Sequence, residues 1–322
     1  MPLISIVVPC YNEQESLPIF LKELDGVVRN MAQQDTDISF EAVLIDDGSA
    51  DDTPSVMKAE VAAAHPYTVR WYSFSRNFGK EAALFAGLQH AKGDYVATMD
   101  ADMQDPPSLL PQMYEILQTE GYDNVATRRT NREGEPPIRS FFARMFYKII
   151  NRISKADIVD GARDFRLMKR PMVNAIISMS EYNRFSKGIY GWVGFKTKWL
   201  PYVNVNRVAG ETKWNFWSLL LYSIDGIVAF STAPLSIAAL TGIMFCLIAI
   251  LGFVVILVKT LVWGDPVGGW PSLACLITLF GGMQLLCLGI IGEYLAKAYL
   301  EAKRRPIYII RESNEESDDT AQ

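Results

Sequence analysis

Two long stretches near the C-terminal end carry no charged residue, and they restrict the fold more than any other feature. No Asp, Glu, Lys or Arg occurs from Gly226 to Val258, or from Pro266 to Gly292. The segments "LSIAALTGIMFCLIAILGFVVILV" and "SLACLITLFGGMQLLCLGIIG" each reach the roughly 20 residues that a helix needs to cross a bilayer. Soluble cores rarely hold two such runs side by side, so a transmembrane hairpin is expected. Its link, "KTLVWGDPVGGWP", has one Lys and one Asp, whereas the outer flanks carry Lys196, Lys198, Arg207 and Lys213 on one side and Lys297, Lys303, Arg304 and Arg305 on the other. Cations concentrate on the cytoplasmic side, so both ends of the hairpin are expected there, with Trp263 and Trp270 at the far interface. "ETKWNFWSLLLYSIDGIVAF" mixes charge with aromatic and aliphatic residues. It reads as a helix lying in the inner interface; an ordinary amphipathic surface helix is the alternative. "RESNEESDDTAQ" reads as a polar, disordered tail.

The remaining two-thirds alternates between strand-like and helix-like runs. "ISIVVPCY", "FEAVLIDDGS", "VRWYSFS", "YVATMD" and "DNVATR" are apolar or β-branched, and "EQESLPIFLKELDGVVRNM", "DDTPSVMKAEVAAA", "KEAALFAGLQHA" and "PSLLPQMYEILQTEG" have helical spacing between them. This alternation predicts a parallel sheet covered by helices. Ligands of such sheets bind beyond the carboxyl ends of the strands, where "PCYNE", "DDGS", "SRNFGK" and "DADMQD" fall in succession. The start "MPLISIVVPC" has no basic region ahead of its apolar run and reads as the first strand, not as a signal peptide.

Several function classes lose support. Half the residues are hydrophobic, 21% are charged and the net charge is −5, which fits neither a disordered chain nor a nucleic-acid binder. No G-x-x-x-x-G-K-[ST] occurs and no G-x-G-x-x-G follows the first strand. His65 and His90 lie at helix ends that look like surface, so both read as structural and a Ser-His-Asp hydrolase is poorly supported. Cys10, Cys246, Cys275 and Cys287 have no metal-site spacing and read as buried apolar thiols.

The acids at the end of the fourth strand are the strongest chemical signal. Asp100 and Asp102, one residue apart where a strand bends into a loop, can both reach a hard divalent cation, and Gln104 could add an amide oxygen. Mg²⁺ and Mn²⁺ prefer oxygen ligands and leave positions open for substrate phosphates. Asp46 and Asp47, one strand away, are placed to accept hydrogen bonds from a ribose or a base. Together these motifs indicate a nucleotide-diphosphate site.

The order "VVPCYNEQESL", "LIDDGSADDT", "RNFGKEAALFAGL", "GDYVATMDADMQDPP" and "DFRLMKR" resembles the inverting family 2 glycosyltransferases of GT-A fold. Within them it is similar to the polyprenyl-phosphate sugar transferases, the bactoprenol glucosyltransferase and dolichol-phosphate mannose synthase group. The resemblance spans about residues 3–215 and implies an α/β, Rossmann-like, mostly parallel GT-A domain. It implies that Pro9, Tyr11, Asn12, Glu13, Asp46 and Asp47 border the nucleobase and ribose, and that Lys80, Asp100 and Ala101 contact the nucleotide sugar. A solvated lysine at a helix start is the alternative for Lys80. Asp100, Asp102 and Gln104 match the family's metal motif, and Asp102, Asp164 and Arg166 are the implied catalytic residues. Arg163 stands where the family pattern has Gly. "RVAGETKWNF" is similar to the family's R-x-x-G-x-S-K-[YW] element, which implies that Arg207, Thr212 and Lys213 hold the acceptor phosphate.

The expected organisation is a cytoplasmic GT-A domain over 1–212, an interfacial helix over 213–230, a two-helix hairpin over 231–298 and a cytoplasmic tail over 299–322. The implied reaction is transfer of a sugar, glucose first, from a UDP-sugar to polyprenyl (undecaprenyl) phosphate at the inner face of the cell membrane, with inversion and with Mg²⁺ or Mn²⁺. The product would be a lipid-linked sugar donor for cell-envelope glycans. A processive polysaccharide synthase is the nearest rival, but two spans are few for a channel and no Q-x-x-R-W element is present. A decayed, non-catalytic scaffold is opposed by the intact acidic motifs, and a transporter by the lack of intramembrane charge. Short helical hairpins often associate, so homo-oligomerisation is left open.

Overall fold

The computed structural model describes residues 1–129, 159, 161–202, 228, 231–263 and 269–315. Strands β1 (Leu3–Cys10), β2 (Ser39–Asp46), β3 (Thr68–Phe74) and β4 (Tyr95–Thr98) alternate with helices α1 (Ser16–Gln34), α2 (Thr53–Val61) and α3 (Lys80–His90). Then come α4 (Leu110–Thr119), β5 (Asn124–Arg129), β6 (Ala162–Lys169), α5 (Arg170–Ser178), α6 (Ser186–Trp192) and β7 (Thr197–Tyr202). The chain ends in α7 (Ala233–Trp263), α8 (Trp270–Ala302) and β8 (Ile310–Ser313).

Among the described residues, eight strands form one sheet in the order β7-β5-β6-β4-β1-β2-β3-β8. β1 is buried on both faces, which is why it reads as an unbroken apolar run. Ile4, Ile6 and Val8 face a core with Leu17, Phe20 and Leu24 of α1 and Met113 of α4. Val7 faces the opposite core, with Ala82 and Ala86 of α3, Met172 of α5 and Ile189 of α6. Gly87 lets α3 lie close to this face: a Cβ there would sit 2.1 Å from Cγ1 of Val7.

The sheet is mostly parallel, as expected, with antiparallel pairing at two places. β6 runs antiparallel to both β4 and β5, and β8 runs antiparallel to β3. The second point also corrects the reading of the tail, because Ile310–Ser313 is an edge strand and Asn314 accepts the Trp71 N–H at 2.8 Å. Glu315 accepts hydrogen bonds from Tyr72 (2.5 Å) and Lys92 (2.7 Å) and pairs with Arg70 (2.8 Å). Arg70 also pairs with the buried Glu41 at 2.9 Å. A polar sequence is therefore held by charge complementarity at the edge of the sheet. Partial burial would raise the Glu315 pKa, but its hydrogen bonds from Arg70, Lys92 and Tyr72 outweigh that and bring it down to about 2. A depressed carboxylate stabilises the fold above its unfolded value, and that contribution is lost as pH falls toward 2. Glu315→Gln is expected to cost about 1 kcal/mol near neutral pH. The difference from wild type in thermal unfolding should close between pH 4.5 and pH 2.

His65 and His90 were expected at the surface, but both are partly buried and held by neighbouring side chains. The His65 ring is held by Asp25 at 2.8 Å and Glu60 at 2.9 Å, and His90 stacks on Tyr72 with ring centroids 4.1 Å apart. Cys10 is buried, and burial pushes its thiol pKa up.

The helices α7 and α8 contain two spans long and apolar enough to cross a membrane, Ala233–Gly252 and Leu279–Ala302, with 6% and 0% of their most apolar windows buried. Leu240, Leu247, Leu285 and Leu295 are all more than 60% exposed, an apolar surface of a kind that water does not favour. Phe245 and Phe280 meet edge to face at 5.6 Å across the pair. At the far end of α8, Glu301 accepts the N–H of Tyr182 at 2.7 Å, which ties that helix to the sheet domain.

Candidate active site

The polar motifs gather beyond the carboxyl ends of β1, β2 and β4. Because β6 is antiparallel to β4, its first residues come to this edge. Thr98 pairs with Arg166 in register, and the Thr98 hydroxyl donates to the Asp164 carbonyl at 2.5 Å. A residue 64 positions further along the sequence is thereby set beside Asp100.

The loops of this edge are held by their own side chains. Asn12 adopts φ 56°, a left-handed conformation that Asn tolerates; its N–H donates to Ser49 Oγ at 2.9 Å and its Oδ1 accepts the Ala50 N–H at 2.9 Å. Glu13 takes a bond from Ser16, and its N–H donates to Thr53 at 2.8 Å. Pro9 pairs with Ile45 across β1 and β2, and Tyr11, just beyond the end of β1, is 38% exposed. Asp46 and Asp47 are 1% and 3% exposed, and their carboxylates are engaged within the protein instead of facing open space. Asp46 accepts from Ser49 N–H (3.0 Å) and Ser73 (2.6 Å). Asp47 accepts the N–H groups of Phe78 (2.7 Å) and Gly79 (3.0 Å). Burial raises the Asp47 pKa to about 6 against those bonds. Gly48 at φ +65° is required here, since a Cβ would meet the Arg76 carbonyl carbon at 2.4 Å.

Asp47 thus shapes the loop that launches α3, and Lys80 opens that helix. Its Nζ lies 2.7 Å from Asp100 Oδ1 and 2.6 Å from Asp164 Oδ2. Partial desolvation opposes the charge on both partners, although the Lys80 side chain is 45% exposed. The two carboxylates nonetheless raise the Lys80 pKa, while Lys80, Lys187 and Arg166 hold Asp164 well below the usual carboxylate range. These cations favour the ionised form of Asp164 and weaken it as a proton acceptor.

The rest of the acidic loop divides by role. Ala101 is buried and Asp102, 7% exposed, accepts the Gln104 N–H at 3.1 Å. The side-chain oxygen of Gln104 already takes a bond from Arg163 at 3.1 Å. Asp105 has no exposed surface; it accepts Arg163 Nε at 3.2 Å and the Tyr202 hydroxyl, which fastens the loop to β6 and β7. Among the described residues no three His, Cys, Asp or Glu side chains converge as a metal cage. The hard oxygens of Asp100 and Asp102 fit a divalent cation whose other ligands come from a substrate, and a cationic group, Lys80, already lies against Asp100.

Arg166 is 2% exposed, stacks its guanidinium 3.4 Å from the Tyr190 ring centroid and donates to the Arg163 carbonyl at 3.2 Å. Burial lowers its pKa. It borders a cavity of about 200 Å³ that Lys187, Tyr190, Thr197 and Trp199 also line. Asp105 is the third carboxylate of "DADMQDPP" but had no role assigned from the sequence, and Lys187 lies in no motif. Arg207, Thr212 and Lys213 lie outside the described residues.

A mostly parallel sheet flanked by helices, with acids and a lysine meeting beyond its strand ends, is the arrangement expected of a GT-A glycosyltransferase. Residues 5–177 match the model of glycosyl transferase family 2. The SfII prophage-derived bactoprenol glucosyl transferase of Shigella flexneri is 43% identical over 311 residues, covering 97% of this chain and 98% of that protein. The prophage bactoprenol glucosyl transferase homolog of Escherichia coli K12 is 42% identical over 308 residues, covering 96% and 98%. Glucosyl-3-phosphoglycerate synthase of Mycobacterium tuberculosis aligns in structure with a TM-score of 0.44 and 18% identity, over 70% of this chain and 78% of that one. The chain belongs to glycosyl transferase family 2.

Proposed function

We propose that the protein transfers a hexose, glucose first, from a UDP-sugar to a polyprenyl phosphate at the cytoplasmic face of the cell membrane, with inversion. The observation that carries this reading is the meeting of Lys80, Asp100 and Asp164 at one strand edge in a chain that ends in two apolar helices. The bactoprenol acceptor named for the relatives supports it, because they align over nearly the whole chain.

In the proposed reaction an oxygen of the lipid phosphate forms a bond to the anomeric carbon while the bond from that carbon to the UDP diphosphate breaks. A phosphate monoester is already an anion near neutral pH, so no general base is required. That agrees with an Asp164 that stays ionised and orients the sugar. Asp100 and Asp102 would hold Mg²⁺ or Mn²⁺, which supplies charge neutralisation to the departing diphosphate. Gln104 Oε1, which takes the Arg163 bond, keeps a second lone pair that could join that set. Tyr11 would lie against the nucleobase, with Pro9, Asn12, Glu13, Asp46 and Asp47 framing it. Lys80 and Ala101 would border the diphosphate and sugar, and Arg166 the cavity beside them. Arg207, Thr212 and Lys213 would hold the acceptor phosphate at headgroup level. Catalysis then rests on positioning and charge neutralisation.

The purified full-length chain is to be incubated with undecaprenyl phosphate and a panel of UDP-sugars and GDP-mannose. A lipid product heavier by one hexose from UDP-glucose is the expected result. No product from any donor would overturn the reading. For topology, Asp265→Cys should react with an impermeant thiol reagent in intact cells and Thr320→Cys should not. The reverse labelling would place the sheet domain outside.

A further inference from the structure

Lys80 opens α3, an end where the helix dipole disfavours a cation. Helix stability gives no reason for a lysine there, yet its Nζ is held by three carboxylate oxygens. These are Asp100 Oδ1 at 2.7 Å, Asp100 Oδ2 at 2.8 Å and Asp164 Oδ2 at 2.6 Å. Asp100 is also the carboxylate that the proposed function assigns to the divalent cation. An ammonium lying across both of its oxygens opposes a metal ion there by repulsion and by occupying the ligand atoms.

We propose that Lys80 is a resident counter-ion that keeps the divalent cation off Asp100 until a nucleotide diphosphate arrives, and then releases Asp100 to it. This rests on the metal-assisted reading given above. The diphosphate brings anionic oxygens that compete for the ammonium and supply the metal ligands that the protein lacks. The neighbouring cations are fixed differently. Arg163 is pinned to Asp105 and Gln104, and Lys187 acts on Asp164 through space. The Lys80 side chain is 45% exposed and sits on a four-carbon stem that can swing a short way to a phosphate. Metal and nucleotide binding are then mutually reinforcing, and by linkage each strengthens the other equally.

The test is Mn²⁺ binding to the detergent-solubilised full chain, read by electron paramagnetic resonance with and without UDP. Wild type should bind Mn²⁺ weakly alone and tightly with UDP. Lys80→Met should tighten Mn²⁺ binding without UDP by about tenfold, the scale of losing two partly solvated charge contacts. With UDP present its gain should shrink to less than about twofold, because the lysine has already left Asp100. Lys80→Arg should behave as wild type. An unchanged Mn²⁺ affinity in nucleotide-free Lys80→Met would overturn the proposal. An equal gain in Lys187→Met would overturn it too, by reducing the effect to the general field. If wild type binds no Mn²⁺ even with UDP, the metal reading itself falls and the proposal falls with it.

Discussion

Asp102→Ala is expected to lower sugar transfer at least about a hundredfold, the loss that follows removal of one group stabilising transition-state charge. Asp100→Ala should do the same, with the added effect of freeing Lys80 from one of its two partners. Asp102 also accepts the Gln104 N–H, so alanine disturbs the loop as well as the charge. Asp102→Asn separates the two effects. Its amide oxygen can keep the turn, while the negative charge is gone. If Asp102 acts as a metal ligand, Asn should be nearly as inactive as Ala, and the defect should lie in kcat and not yield to excess UDP-sugar. Removal of divalent ions with EDTA should abolish wild-type transfer, and Mn²⁺ or Mg²⁺ should restore it. An Asn variant with more than about a tenth of wild-type activity, or full activity in chelator, would remove the metal clamp from the mechanism.

The parts of this fold that were legible share a cause. β1 to β5 are apolar runs closed by polar turns, because strands covered on both faces must be apolar and ligand-binding loops must be polar. The acids of "DADMQD" and Asp164 of "DFRLM" were legible as motifs. Their meeting was not, since it depends on β6 running antiparallel to β4, and direction leaves no trace in a strand's own pattern. β8 was misread because its stability comes from Arg70, Lys92 and Lys58, more than two hundred residues upstream. A short charged edge strand has the composition of a tail. Asp46 and Asp47 illustrate a different limit. They lie at the end of β2, as the sequence indicates, but the sequence carried no sign that Ser49, Ser73, Phe78 and Gly79 would engage both carboxylates.

Arg163→Met is expected to destabilise the sheet domain by about 2–4 kcal/mol near pH 8, because it leaves Asp105 buried without its cation. Asp105 has no exposed surface and one of its oxygens has no partner among the described residues. Burial already raises its pKa, and Arg163 opposes that rise. Without Arg163 the pKa should climb further. A carboxyl with a raised folded pKa is favoured in its protonated form, so the folded state binds more protons than the unfolded one at intermediate pH. Stability must then fall as pH rises through that range and recover as pH falls below it. The Arg163→Met deficit should therefore be large at pH 8 and shrink at pH 5, whereas loss of simple packing would cost the same at both. Asp105→Asn in the Arg163→Met background should remove the pH dependence, because the amide takes no proton. Both comparisons are read from thermal unfolding of the detergent-solubilised chain. A deficit equal at both pH values would mean that Asp105 is not ionised against Arg163 in the folded protein. In that case the arginine that stands where the family pattern has glycine would be a spacer and not a counter-ion.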